Sequence, residues 1–265
     1  MLEILILISI ILIGTSIGLF GSFMLWNGLA YTGDVLSHIA ILSVALSALF
    51  GISPIIAIIF TGILMAWLLV TRDKSIGLDG FFNVITSVSM AYGLAIFYFL
   101  KIDYDTINIT IFGDDHVTLS IKELWLCVIG GISFILYFRF RWKDLIKVSI
   151  DNDLSFVEEK INYKYLTAEF IVMLSIFIAL ISHISGMLFI TSILVMSPIT
   201  MRSWSKTPLQ MVVGSSLLSI FIFSIVTLIE YFHHFNYGIV LVIVSSIILI
   251  ISATLNHFLQ NQYFK

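Results

Sequence analysis

The stretch "EILILISIILIGTSIGLFGSFML", residues 3–25, carries a single charge, Glu3, at its first position and is otherwise apolar or small. As a helix rising 1.5 Å per residue, it is about 34 Å long, enough to cross the roughly 30 Å of hydrocarbon in a bilayer. The opening "MLEILILISIILIG" has no basic n-region and no small-residue cleavage site close behind it. It therefore reads as a retained first span and not as a removable signal. Eight more apolar segments follow, at 34–50, 54–71, 81–100, 123–140, 166–183, 186–200, 209–232 and 237–258. The segments at 34–50 and 186–200 are short for a full crossing, which predicts that they are tilted, broken or re-entrant.

Composition agrees. The chain is 60% hydrophobic with a mean hydropathy of +1.11, and 11% of its residues are charged. A soluble domain carries about a quarter charged residues. The expected fold is all-α: one polytopic membrane helical bundle over residues 1–265, with eight to nine transmembrane helices. Cys127 is the only cysteine, so disulfide frameworks and cysteine-based zinc sites are excluded, and the thiol reads as packed or membrane-facing.

Charge placement gives the topology. If the nine segments alternate, all of the thirteen basic residues except Lys101 and Lys122 fall on one side. Those two lie near Asp103, Asp105, Asp114 and Asp115. The positive-inside rule then puts the C-terminus in the cytoplasm and the N-terminus outside. The largest cytoplasmic loop is "RFRWKDLIKVSIDNDLSFVEEKINYKY" (139–165), polar with a weak helical pattern, in which Leu145, Val148, Leu154 and Val157 can share an apolar face. It is read either as a solvated connector or as a docking surface for a cytoplasmic partner. Gly14, Gly18 and Ser22 in the first segment have small-xxx-small spacing, which predicts close approach of a neighbouring helix.

The chain holds no GxxxxGK[ST], HExxH, GxSxG or GxGxxG, so nothing in it binds a nucleotide in the P-loop manner and no enzymatic activity is expected. The one constellation within an apolar segment is "GDVLSHIA" (33–40). Asp34 and His38, at i and i+4, share a helical face one turn apart. Each charge at depth costs about 2.5–3.5 kcal/mol on insertion scales, so such residues face a cavity or the bundle interior. Two readings follow: a pair that bonds internally to fix helix packing, or a cation site. An imidazole nitrogen with a carboxylate oxygen suits Zn²⁺, Mn²⁺ or Fe²⁺, and suits Na⁺ or K⁺ poorly. Two ligands are few, which fits a weak transport site or one completed by a second copy of the chain. The small residues Gly33, Ser37, Ala40, Ser43 and Ser47 predict that this helix packs against other helices.

At these residues the chain resembles a known family. "GSFMLWNGLAYTGDVLSHIAILSVAL" (21–46) resembles the opening of the zinc/manganese ABC importer permeases, with Tyr31, Gly33, Asp34 and His38 on the Gly-Asp-x-x-x-His hallmark. "IFGDD" (111–115), "NDLSFVEEKIN" (152–162) and "GMLFITSILVMSPITMRSWSKTP" (186–208) resemble later family stretches in the expected order. Glu159 stands where the family commonly has glycine.

The resemblance implies a bundle related to the cobalamin/siderophore importer permease fold, in the bacterial cytoplasmic membrane. Two copies would flank the pathway, above cytoplasmic ATP-binding subunits. An extracytoplasmic metal-binding protein would deliver the ion. Asp34 and His38 would be the metal pair, and zinc the expected cargo, with manganese or iron as alternatives. No permanently bound cofactor and no nucleic acid is implied. Asp151, Asp153, Leu154, Phe156, Val157, Glu158 and Glu159 are the expected contacts with the ATPase. His116, His183, Glu230, His233 and His234 are candidates for the place where metal enters, against a reading as residues wetted by headgroups. Two other classes stay open: a proton-coupled secondary metal carrier acting through Asp34 and His38, and a scaffold in which the pair is structural. A carrier is expected to show paired broken helices in its two halves, and no convincing internal repeat is visible.

Overall fold

The run at 3–25 forms α1 (Leu2–Trp26), which is followed by α2 (Ala30–Phe50), α3 (Pro54–Thr71), α4 (Leu78–Phe99) and α5 (Tyr104–Phe112). Then come α6 (Ile121–Ile150), α7 (Tyr163–Ser185), α8 (Met187–Arg202), α9 (Pro208–His233) and α10 (Tyr237–Tyr263). This is a computed structural model that describes residues 2–72, 77–113, 120–150, 163–233 and 235–263. Every described element is an α-helix, and eight of them, all but α5 and α8, are long and apolar enough to cross a membrane. The solution is the one hydrocarbon permits, because a helix satisfies its own backbone polar groups.

The helix ends fall at two opposite faces. At one, Trp26, Ile146, Ser149, Arg202, Pro208 and Met211 surround a common cavity, and Lys164 donates from Nζ to the Val70 carbonyl at 3.3 Å. At the other, Asn236 donates from Nδ2 to the Gly113 carbonyl at 3.3 Å, while Pro54, Glu123 and Ser182 line one crevice. The described cations of the C-terminal third of α6, Lys164, Arg202 and Lys206 therefore gather at the first face. α8 has only 16 residues, about 24 Å, yet joins the two: Gly186 sits against Gly113 and Arg202 lines the opposite cavity.

α1 is the spine. A Cβ at Gly18 would collide with the backbone of Ser216 in α9, and Ser216 donates to the Thr15 carbonyl at 3.2 Å. The small-xxx-small stripe thus packs α1 antiparallel on α9. Gly21 meets α8 where Pro198 interrupts it. Pro198 has no N–H for the carbonyl four residues back, that of Leu194, and Gly21 lies against this freed oxygen. Phe20 is completely buried, its ring centroid 4.9 Å from both Phe138 and Phe177 and 5.4 Å from Phe134. Buried hydroxyls return to their own helices: Ser16, Ser37, Ser175, Ser197 and Ser215 each donate to the carbonyl four residues earlier, as a dry interior requires.

Three elements differ from the sequence reading. α2 begins at Ala30, ahead of the segment expected from residue 34, so Asp34 lies in its second turn. The first part of the expected 139–165 loop is helix, because Leu145 and Val148 are buried and carry the apolar face of α6 on to Ile150. Its centre, residues 151–162, lies outside the described residues. Finally, the acidic 101–122 connection contains α5, whose Ile107 and Ile111 pack on the cluster of Ala40, Ile41 and Phe97. Packing overrides the low helix propensity of its Ile- and Thr-rich sequence there.

Candidate metal site

The α1–α2 connection is tight. Gly28 takes φ +66°, Leu29 donates its N–H back to the Met24 carbonyl at 2.8 Å, and Leu29 itself is buried. α2 starts at once, and its first turns are wedged into the bundle. A Cβ on Gly33 would lie 3.1 Å from Met24 and 3.4 Å from Thr191 of α8. Thr32, Val35, Leu36, Ser37, Ile39 and Ala40 are all buried. The open stripe that remains is Tyr31, Asp34 and His38, at i, i+3 and i+7.

On that stripe, the Asp34 side chain is 47% exposed and the His38 side chain 14%. Nδ1 of His38 stands 2.8 Å from the backbone carbonyl of Asp34, against 3.8 Å to its carboxylate Oδ1. The shorter contact is the hydrogen bond. A carbonyl only accepts, so Nδ1 carries the proton, and in the neutral ring Nε2 keeps its lone pair. This is the arrangement of a metal-binding histidine, whose second ring N–H is held by a carbonyl or carboxylate. The carboxylate of Asp34, free of that bond, lies one turn below.

The pair brings together one nitrogen and one carboxylate. Among the described residues, no group of three or more His, Cys, Asp or Glu side chains could hold a metal ion. Glu230 and His233 occupy the last turn of α9, and His183 the last turn of α7, both at the end of the bundle where Gly113 meets Gly186. His233 is exposed and stacks on Phe235, centroids 5.9 Å apart. His116 and His234 lie outside the described residues, as do Asp151, Asp153, Leu154, Phe156, Val157, Glu158 and Glu159. Cys127 is buried and free, in the core with Ile13, Phe134 and Phe177. Thr191, which fixes the start of α2, was not singled out in the sequence; the signal for it was the bare Gly33, which only a close neighbour explains.

Comparison with known proteins matches residues 2–256 to the ABC 3 transport family. The chain belongs to that family. It is a transmembrane permease of the ABC-3 type. The high-affinity zinc uptake system membrane protein ZnuB of Buchnera aphidicola subsp. Acyrthosiphon pisum is 32% identical over 79% of this chain and 80% of that protein. ZnuB of Haemophilus influenzae is 29% identical over 75% and 76%. The manganese import system permease protein ScaB of Streptococcus gordonii is 28% identical over 80% and 76%. Among solved structures, PsaBC from Streptococcus pneumoniae in complex with Fab matches with a TM-score of 0.79 at 22% identity, over 93% of this chain and 88% of that one. The permease fold is thus the same.

Proposed function

We propose that this chain is the membrane subunit of an ABC importer for a divalent transition metal, with zinc as its cargo. The observation that carries the reading is the His38 ring, locked through Nδ1 by the Asp34 carbonyl so that Nε2 is free, with the Asp34 carboxylate on the same face one turn away. Zinc takes imidazole readily, and similarity to permeases named for zinc and for manganese supports a borderline divalent ion.

In this reading the ion is substrate. It reaches the outer end of the bundle from an extracytoplasmic binding protein, passing His116, His183, Glu230, His233 and His234. A second copy of the chain supplies a second Asp34 and His38, giving two nitrogens and two carboxylates across the pathway. The half-exposure of Asp34 in one chain leaves room for that. The basic end of the bundle faces the cytoplasm, with the C-terminus there. An ATP-binding subunit pushes on Asp151, Asp153, Leu154, Phe156, Val157, Glu158 and Glu159, between α6 and α7. The protein lies in the bacterial cytoplasmic membrane.

The test is uptake by proteoliposomes containing this chain, its ATP-binding subunit and its binding protein. Uptake of Zn²⁺ should require ATP and fall at least tenfold in Asp34→Asn and in His38→Ala, with assembly intact. ATP-independent uptake by this chain alone would point instead to a secondary carrier.

A further inference from the structure

The cations at the basic end are not equivalent. Arg141 is neutralised, forking onto Glu169 at 3.0 and 2.8 Å and reaching Asp144 at 3.3 Å. Arg139 and Lys143, one turn apart on α6, are both exposed and meet no carboxylate among the described residues. They line a groove of about 620 Å³ between α1, α6 and α9. Its walls are Leu19, Phe138, Leu209 and Val212. The α6 face that continues from it exposes Ile132, Leu136 and Phe140, with the Ser133 hydroxyl returned to the Ile129 carbonyl, so whatever lies along the groove lies in hydrocarbon.

Two unneutralised cations with an apolar wall leading away from them match one class of molecule: a chain that is apolar along its length and anionic at its head. We propose that this groove binds an anionic phospholipid, one acyl chain along Leu19, Ile135, Leu136 and Ile132 and the phosphodiester on Arg139 and Lys143. The guanidinium can bridge two phosphate oxygens, and the ammonium adds a point charge. A soluble protein partner would not meet the apolar wall. A zwitterionic lipid would bring its own headgroup cation against these two. The metal stripe on α2 takes no part in the site.

The experiment is native mass spectrometry of the full-length chain purified in mild detergent and titrated with dioleoyl phosphatidylglycerol or dioleoyl phosphatidylcholine. Each cation near a lipid headgroup contributes a factor of about five. Wild type is expected to retain phosphatidylglycerol over phosphatidylcholine. Arg139→Gln or Lys143→Gln should cut that preference about fivefold, and both together about 25-fold. Lys101→Gln, at the opposite end, should leave it unchanged. Ile135→Trp, which fills the trough and keeps both cations, should lower retention of both lipids. If the double variant does not yield monodisperse protein, the two single variants decide. Full displacement of the lipid by excess inorganic phosphate would assign the cations to a free anion and overturn the proposal. So would an undiminished preference in the Gln variants, or a loss of dimer mass in place of lipid adducts.

Discussion

Arg141 binds Glu169 through two parallel hydrogen bonds, Nε to Oε1 at 3.0 Å and Nη2 to Oε2 at 2.8 Å, across 28 residues of chain. The pair ties α6 to α7 on either side of the 151–162 segment. Both side chains are partly exposed, 43% and 32%, so water screens the pair and its contribution is about 1 kcal/mol. A double-mutant cycle with Arg141→Met and Glu169→Met, read by unfolding in detergent, should return a coupling of about that size. Arg141→Lys should lose most of it, because an ammonium cannot make the fork. A coupling near zero would mean that the two helices are held by apolar packing alone.

At Gly18 the constraint is steric. Any Cβ there meets the backbone of Ser216, which has no rotamer to yield. Gly18→Ala should therefore destabilise the bundle by about 2 kcal/mol. Gly77 has nothing within 4 Å of its Cβ position and no positive φ, so Gly77→Ala meets no steric cost and, at the N-cap of α4, should cost at most about 1 kcal/mol. Thermal unfolding of both variants in one detergent makes the comparison, and equal shifts would remove the α1–α9 contact from the account.

Much of this was legible beforehand for a physical reason. A run such as 3–25 has one stable option in hydrocarbon, and Gly14, Gly18 and Ser22 announce a close helix by what they lack. The Asp34–His38 pair stood out because burying charge is costly. What the sequence could not show is set by contacts distant along the chain. The Ile- and Thr-rich α5 is helical because Ile107 and Ile111 find Ala40 and Ile41. Likewise α6 extends to Ile150 because Leu145 and Val148 find a core that a window over residues 139–165 does not contain. The partner of His38 Nδ1 also turned out to be the backbone of Asp34 and not its carboxylate, a distinction between two atoms of one residue that spacing cannot make.

Phe20 joins three helices, its ring touching those of Phe134 and Phe138 from α6 and Phe177 from α7. Lipid tails do not drive such residues together, so what the site contributes is close packing. Phe20→Ala leaves a cavity between rings that cannot collapse around it, and should cost about 3 kcal/mol. Phe140, four-fifths exposed on the outer face of α6, is the matched control. Phe140→Ala should change the unfolding midpoint little, since detergent or lipid replaces its contacts. If both variants melt alike, the aromatic cluster is not where the stability resides.

The proposed metal pair on α2 should set selectivity among ions. His38 offers a borderline nitrogen, Nε2, because Nδ1 is committed to the Asp34 carbonyl. Replacing it with a carboxylate turns the nitrogen-and-oxygen pair into an all-oxygen one, which favours Mn²⁺ relative to Zn²⁺. In His38→Asp, the ratio of Zn²⁺ to Mn²⁺ taken up by the reconstituted importer should fall about tenfold, equivalent to about 1.4 kcal/mol. His38→Ala should depress uptake of both ions, because Asp34 alone is a single ligand per chain. Competition uptake with both isotopes in one vesicle preparation reads the ratio directly and is insensitive to the amount of protein inserted. An unchanged ratio in His38→Asp, with total uptake intact, would move the selecting ligand away from α2. The pair would then be holding the start of that helix against Met24 and Thr191, where Gly33 already brings them together.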